Sequence, residues 1–213
     1  SDTVMDDVEA LFEVNREQLG FIPEEKGGEV AGRLQILDRD SDTGKTLKID
    51  CTKFGSGAYS IPISVEHLKF EILQDVLAVN VLGLIVCSQH AVRRMSTRHG
   101  GTGGAIVNIS SGAAYMGVPG VGVHYAVSKG AVNSFTIGLS QEVAGDGIRV
   151  NSVSPGPTRS GMMGDDDLAS AASNIPMGRV GEPDEIAEVV RWLLSDQASY
   201  VAGANIRAAG GRP

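Results

Sequence analysis

The feature that most constrains the fold is an alternation of short strand-like runs and longer helical patterns in the second half of the chain. Residues 105–109 (AIVNI) and 148–153 (IRVNSV) read as strands buried on both faces, and 204–208 (ANIRA) reads as a last short strand. Between them, residues 125–144 and 184–194 read as helices. This order predicts an α/β fold, a parallel sheet with right-handed crossovers and flanking helices.

Length and composition bound the class of protein. The 213 residues, 42% of them hydrophobic, suffice for one core, so we expect a single domain over 1–213 and no disordered chain. We expect no apolar run of membrane-spanning length, and the net charge of −8 disfavours nucleic acid and anionic membranes as partners. Two cysteines without metal or disulfide spacing, and the lack of a signal peptide, predict a cytoplasmic protein.

Charge divides the chain unevenly. Residues 1–75 hold 16 acidic and 8 basic side chains, whereas 76–213 hold 10 of each. Five of the six lysines precede residue 76, and Lys129 alone follows it. The shift indicates two segments with different histories, although local fluctuation of charge explains it equally well.

The first part of the chain has its own pattern. Residues 2–17 are expected to form a helix. Residues 33–37 and 46–50 alternate like strands around a turn cluster, which predicts a β-hairpin within a segment of about 23–65. Residues 64–95 predict one or two helices, and the acidic run in the loop 155–167 predicts a mobile tip.

Tyr125 and Lys129 are four residues apart at the start of a predicted helix, so they share one face. A lysine ammonium close to a tyrosine favours the phenolate and lowers the phenol pKa, which would allow proton donation and acceptance. An exposed helical pair without a role is the alternative, and a two-residue match is common. Lys129 is the one lysine in a region otherwise served by arginine, which favours a site that needs a compact cation.

Polar and glycine residues follow the predicted strands. Ser110 and Ser111 come directly after one strand, and Pro155 and Gly156 after the next. Ligands of open parallel sheets bind outside the carboxyl ends of strands, so a hydroxyl here could hold a carbonyl oxygen, although turn serines often satisfy local backbone. Asn80 lies in an apolar helical stretch, either as a satisfied core amide or as part of a polar network.

Together these residues lie in motifs that resemble the short-chain dehydrogenase/reductase family. The resemblance covers the last two-thirds of the chain, and residues 1–22 look like the family helix before its fourth strand. The motifs are VLAVNV (76–81), GAIVNISS (104–111), YAVSKG (125–130), GIRVNSVSPG (147–156), IPMGR (175–179), WLLSD (192–196) and SYVAGANIRAAGG (199–211).

The resemblance implies a Rossmann-like sheet and a role for each matched residue. Tyr125 would be the proton donor and acceptor, with Lys129 lowering its pKa and binding the nicotinamide ribose. Ser111 would hold the substrate oxygen, and Asn80 would anchor a water for proton relay. The residues expected near the nicotinamide end of NAD or NADP are Pro155, Gly156, Thr158 and Ser160. The family also implies a homodimer or homotetramer formed by the helices at 64–95 and 125–144.

Two departures from the family are visible. The glycine-rich T-G-x-x-x-G-x-G turn and the N-N-A-G motif are not in this sequence, and about 23–65 does not match the family. We therefore expect a fold that lacks the family's first strands, weak dinucleotide binding, and pairing of the hairpin with the sheet edge or a second subunit. Three functions remain open: carbonyl/alcohol oxidoreduction of a small molecule, an inactive relative, and a structural or oligomerisation role.

Overall fold

The computed structural model describes residues 63–159 and 165–213, together with the backbone of two short strands before them. The described residues lie within one compact unit, Gly32–Pro213. The helix predicted at 2–17 falls outside the described residues, and a single domain over the whole chain stays a prediction.

Strands and helices alternate along the described chain, as the sequence pattern predicts. The strands are β1 (Ile36–Asp38), β2 (Leu47–Ile49), β3 (Gly104–Ile109), β4 (Ile148–Pro155) and β5 (Asn205–Ala208). The helices are α1 (Phe70–Met95), α2 (Ala113–Met116), α3 (Val123–Val143), α4 (Asp165–Ala172) and α5 (Pro183–Leu194).

Three strands form the parallel sheet of an α/β fold. The order is β3-β4-β5, with Gly104 opposite Ile148 and Ser152 opposite Asn205. Because all three strands run the same way, their carboxyl ends meet at one edge of the sheet. The predicted Rossmann-like sheet with flanking helices is confirmed.

The short strands β1 and β2 pair with each other. They run antiparallel, with Ile36 opposite Ile49, inside the segment for which the sequence predicts a hairpin. Among the described strands this pair is a sheet of its own, and no ladder joins it to the parallel sheet. In the described residues of this hairpin the expected pairing with the sheet edge is not found, and pairing of the segment with a second subunit stays a prediction.

Apolar side chains cover the parallel sheet from both faces. One cluster joins Ala91 and Met95 of α1 to Val143 of α3 and to Ile148 and Val150 of β4. A second cluster joins Val153 of β4 to Leu193 of α5 and to Ala198. Helices α1 and α3 therefore pack on one face and α5 on the other, which explains why the strands are apolar on both sides.

Helix α1 has a buried side and an apolar outer side. Its 26 residues are long and apolar enough to cross a bilayer, so the expectation that no segment reaches that length is wrong. Ala91 and Met95 nevertheless pack in the core beside β4, whereas Leu82 and Ile85 are exposed. Through this packing α1 is one of the helices that flank the parallel sheet.

The acidic run Asp165–Asp167 lies in the first turn of α4 rather than in a loop. Acidic side chains favour the positive end of the helix dipole, so three consecutive acids fit a helix start as well as a loop. The predicted loop at these three residues is therefore wrong, the mobility of the tip stays a prediction, and 160–164 lie outside the described residues.

Candidate active site

Tyr125, Lys129 and Ser111 come together at the carboxyl edge of the sheet. Ser111 follows the end of β3, while Tyr125 and Lys129 lie in the first two turns of α3. The Ser111 hydroxyl lies near the Tyr125 phenol and acts to lower the pKa of that phenol. The Ser111 Oγ also accepts a hydrogen bond from the Ala113 backbone N–H at 3.1 Å, which fixes the serine at the start of α2.

Lys129 is anchored to the end of β3. Its Nζ donates to the Ile109 carbonyl oxygen at 3.1 Å and lies 5.7 Å from the centroid of the Tyr125 ring. The Ser110 hydroxyl donates to the Lys129 carbonyl oxygen at 3.0 Å. Two polar contacts therefore tie the same turn of α3 to the strand end and hold the ammonium beside the phenol.

Asn80 reaches this site from α1 through Ser128. Its Nδ2 donates to the Ser128 Oγ at 3.0 Å, and that hydroxyl donates to the Tyr125 carbonyl oxygen at 2.7 Å. Asn80 lies in a π-helical segment, Ala78–Gly83, within α1. Such segments occur frequently at functional sites, because they displace a side chain from the regular helical face.

Hydrogen bonds act together with the apolar cluster around Val143 to fix how α3 sits on the sheet. The Asn108 amide of β3 donates to the Thr136 Oγ1 at 2.9 Å. The Asn205 amide of β5 donates to the Asn133 Oδ1 and to the Ser152 Oγ, both at 2.7 Å. Rotation or sliding of α3 would leave these buried groups unpaired, so the bonds hold the helix that carries Tyr125 in one register.

Burial dominates the ionisation of Tyr125. It raises the pKa of the phenol above its ordinary value of 10.0, and the Ser111 hydroxyl acts in the opposite direction with a smaller effect. The net direction is opposite to the lowering expected from Lys129, because desolvation of the phenolate outweighs the other influences. At neutral pH the phenol therefore holds its proton and can act as a donor.

The loop after β4 links the three strand ends. The Gly112 N–H donates to the Pro155 carbonyl oxygen, and the Gly156 N–H donates to the Ala208 carbonyl oxygen, both at 2.9 Å. Thr158 donates from its Oγ1 to the Gly156 carbonyl oxygen, also at 2.9 Å. The polar groups of Pro155, Gly156 and Thr158 are thus occupied within the protein, and Ser160 lies outside the described residues.

The structure brings to this edge three side chains that the sequence reasoning did not select. Ser128 connects Asn80 to the Tyr125 turn, and the guanidinium of Arg207 lies over the Tyr115 ring at 5.2 Å from its centroid. A charged residue inside the strand pattern ANIRA is the signal that could have identified Arg207. Ser128 carries no such signal, since its role depends on a residue 48 positions away.

A family model and curated proteins match this chain. The model described as enoyl-(acyl carrier protein) reductase matches residues 48–212. An uncharacterized oxidoreductase of Escherichia coli (strain K12), YgfF, is 48% identical over 153 residues, which cover 70% of this chain and 62% of YgfF. A 3alpha-hydroxysteroid dehydrogenase of Mediterraneibacter gnavus is 41% identical over 136 residues, covering 62% of this chain and 53% of that enzyme.

Solved structures share the fold. A 4-hydroxyisoleucine dehydrogenase complexed with NADH superposes with a TM-score of 0.63 at 31% identity, covering 70% of this chain and 63% of that one. The chain thus spans less than two thirds of the length of each of these proteins. The family match begins at residue 48, within the segment of about 23–65 that the sequence reasoning left unmatched.

Proposed function

This chain belongs to the short-chain dehydrogenase/reductase family, and we propose that it interconverts a carbonyl and an alcohol with NAD or NADP as hydride carrier. The observation that carries the proposal is the placement of Tyr125, Ser111 and Lys129 at one edge of the sheet, with the Ser111 hydroxyl near enough to the phenol to lower its pKa. An oxidoreductase of a small molecule fits this arrangement, because a proton donor, a hydroxyl and a cation can act on one oxygen atom.

Tyr125 is the proton donor in reduction. The raised pKa keeps its hydroxyl protonated at neutral pH, so it can give the proton to the carbonyl oxygen while the carbonyl carbon receives the hydride. The products are the alcohol and the oxidised nicotinamide, and the tyrosinate regains its proton from solvent. In the reverse direction the tyrosinate takes the alcohol proton, and the neighbouring Lys129 cation stabilises that anion.

Ser111 and Asn80 assist Tyr125 in different ways. Ser111 acts on the substrate oxygen, and Asn80 acts in returning the proton to the tyrosine. The Ser111 hydroxyl, which lies near the Tyr125 phenol, is placed to hold the substrate oxygen. Asn80 belongs to a chain of hydrogen bonds that ends at the Tyr125 backbone, and its fixed position suits it to hold a water beside Lys129. That water would return a proton to the tyrosine after each turnover.

The donor set fits the nicotinamide–ribose end of a dinucleotide. An ammonium and a phenol lie at the carboxyl edge of a parallel sheet, where such ligands bind. Lys129 and Tyr125 would bind the ribose hydroxyls, and Pro155, Gly156, Thr158 and Ser160 would border the nicotinamide. The cofactor, once bound, supplies the hydride.

Exposed apolar side chains on α1 and α3 support a homodimer or homotetramer. Leu82 and Ile85 on α1 and Val127 and Ile137 on α3 are exposed in the single chain. The two helices pack side by side on one face of the sheet, so these residues can contribute to a common surface. A second copy of this chain would bury that surface through the same residues.

Substitution of Tyr125 tests the proposed reaction. Tyr125→Phe should lower the rate of carbonyl reduction by about 10²–10⁴-fold, because it removes the proton donor and little volume. Tyr200→Phe is the matched control, since Tyr200 is fully exposed and should leave the rate unchanged. The measurement is NADH or NADPH oxidation at 340 nm with a panel of aldehydes and ketones, after calorimetric titration of each cofactor.

Three results would contradict the proposal. An unchanged rate in Tyr125→Phe would exclude this proton donor. Binding of cofactor without turnover of any substrate would favour an inactive relative, and failure to bind NADH or NADPH would favour a structural role.

A further inference from the structure

A cavity of about 330 Å³ opens beside the ends of β4 and β5, outside the Tyr125 group. Its walls are mostly apolar and include Pro157, Ile175, Met177 and Ile186. This volume is at the lower end of the range for small-molecule sites, so the cavity suits a compact ligand and not a whole dinucleotide.

Three charged side chains line this cavity, and the opposite charges of two of them compensate each other. Arg179 forms a two-pronged ion pair with Glu185, with both N–O distances at 2.7 Å. The same contact lowers the pKa of Glu185 to about 2, so the carboxylate is ionised at every physiological pH. The charge of Arg179 is therefore compensated inside the pair.

Arg207 is the charge that remains. Among the residues that the structure describes, Arg207 has no carboxylate within ion-pair distance, and its guanidinium donates no hydrogen bond. Its guanidinium carbon lies 5.2 Å from the centroid of the Tyr115 ring, in a cation–π contact. No side chain that the structure describes occupies the guanidinium N–H groups, which form a planar fork whose geometry suits a carboxylate or a phosphate.

The cavity is connected to the proposed active site through the backbone. Tyr115 lies on α2, the short helix that starts two residues after Ser111. The Gly112 N–H is bonded to the Pro155 carbonyl oxygen, and the Gly156 N–H to that of Ala208, which lines the cavity. A ligand in the cavity therefore lies beside the ends of β4 and β5, which backbone hydrogen bonds connect to the turn that follows Ser111.

We propose that Arg207 binds the anionic group of the substrate, a carboxylate or phosphate, while the apolar walls of the cavity hold the short chain between that group and the reacting carbonyl. The inference rests on the proposed function and narrows it to small anionic carbonyl or alcohol compounds. Tyr115 positions the guanidinium by stacking. Neutral ketones of the same size lack the charged contact and are poorer substrates.

Direct binding of simple probes tests the site without any turnover. Pentanoate, butyl phosphate and the neutral pentanamide are titrated at low ionic strength into the wild type, Arg207→Gln, Arg207→Lys and the control Arg191→Gln. Arg191 is exposed on α5 and does not line the cavity. Charge-assisted hydrogen bonds predict that Arg207→Gln weakens binding of the preferred anion at least about tenfold. Arg207→Lys should keep part of the affinity, and Arg191→Gln all of it.

The identity of the anion and the link to catalysis have separate readouts. Tighter binding of pentanoate than of butyl phosphate assigns a carboxylate, and the reverse assigns a phosphate. The assay with NADH or NADPH then compares charged and neutral substrates. For a carboxylate site, kcat/KM for 4-oxopentanoate should exceed kcat/KM for its methyl ester. For a phosphate site, kcat/KM for a keto phosphate should exceed kcat/KM for the corresponding neutral ketone. Arg207→Gln should remove this preference.

The outcomes separate the inference from the proposed function. Equal affinity for anions and amide, or unchanged anion affinity in Arg207→Gln, would overturn the anion site. Turnover of charged and neutral ketones alike in both proteins would overturn its role in the reaction while leaving the reaction intact. A third outcome is anion binding that depends on Arg207 without turnover of any carbonyl compound. This result would support the anion site but overturn the proposed function, and with it the inferred role of Arg207 in substrate recognition. A larger loss of NADH affinity than of anion affinity in Arg207→Gln would assign the arginine to the cofactor and overturn the inference.

Discussion

Tyr125 is held in its neutral form by its surroundings. Burial raises the pKa of its phenol more than the Ser111 hydroxyl lowers it, and the Lys129 ammonium is shared with the Ile109 carbonyl oxygen. A phenol of this kind favours reduction over oxidation near neutral pH, because the donor form is the populated one. Binding of a positively charged oxidised nicotinamide would add a second cation and favour the phenolate.

The raised pKa of Tyr125 also predicts a pH dependence of stability. The unfolded chain releases this proton near pH 10, while the folded chain retains it to higher pH, so the folded state loses stability as pH rises above about 10. Tyr125→Phe lacks this titrating group and should lose less stability than the wild type as the pH rises from about 9 to about 11. The free energy of unfolding from urea titration at each pH measures the difference.

Tyr200→Phe is the control for that measurement. Tyr200 is fully exposed, so its removal should leave the pH dependence of the wild type unchanged. Parallel curves for the wild type and Tyr125→Phe would show that folding does not alter the phenol pKa.

Part of the site could be predicted from single residues. The spacing of Tyr125 and Lys129 places both on one helical face, and Ser111 directly follows a strand, so local rules bring them to one edge. Ser128 and Arg207 could not be found this way. Their partners, Asn80 and Tyr115, are far away in sequence, and only the packing of α1 and β5 brings them close.

Most element boundaries in this region could be predicted, because the hydrophobic period and the length of each segment indicate the same type of element. Strand β3 begins one residue before its predicted start, β4 extends two residues beyond its predicted end, and α3 begins two residues earlier than expected. The short helix α2 and the start of α4 were missed. Glycine around α2 and acids in α4 are equally typical of loops, so composition could not separate the two.

Gly156 shows how closely the elements at this edge approach. A Cβ added to Gly156 would lie 2.8 Å from the Ala209 Cα and 2.9 Å from its Cβ. These are contacts that real Cβ atoms avoid, and the closer one involves backbone that cannot turn away. The absence of a side chain therefore has a packing reason at this position, beside any contact with a nicotinamide.

Gly156→Ala should lower the free energy of unfolding by about 1–3 kcal/mol through overpacking. The matched control is Gly145→Ala, because a methyl there meets nothing within 4 Å and should change stability by less than about 0.5 kcal/mol. Urea denaturation of both variants provides the comparison. Equal stability of the two variants would mean that the β5 end shifts to accept the methyl.

The whole molecule exposes more apolar surface on one side than a single chain needs. Leu82, Ile85, Val127 and Ile137 lie on the two helices that cover one face of the sheet. Exposed apolar side chains on two neighbouring helices are the basis for expecting an interface with a second copy. The sequence gives the apolar spacing of both helices, but which side faces outward depends on the packed sheet.

The oligomeric state of the protein in solution tests this interface. We expect a homodimer or homotetramer by light scattering at micromolar concentration. Ile85→Glu combined with Ile137→Glu should shift the protein to a smaller species with unchanged far-UV circular dichroism, because two charges would be buried without partners. Tyr200→Glu, at an exposed site outside these helices, should leave the mass unchanged. A monomeric wild type would contradict the interface.

The π-helical segment Ala78–Gly83 keeps the two halves of α1 in phase. At about 100° per residue, an unbroken α-helix would place the buried residues Ser88, Ala91 and Met95 roughly 90° around the axis from the buried Val76. One surplus residue, accommodated in the wider turn, returns all four to within about 40° of a common line. The segment thus keeps the buried residues of both halves on one side of the helix. A chain with one residue fewer in this segment could keep both halves packed, but it would move Asn80 away from Ser128.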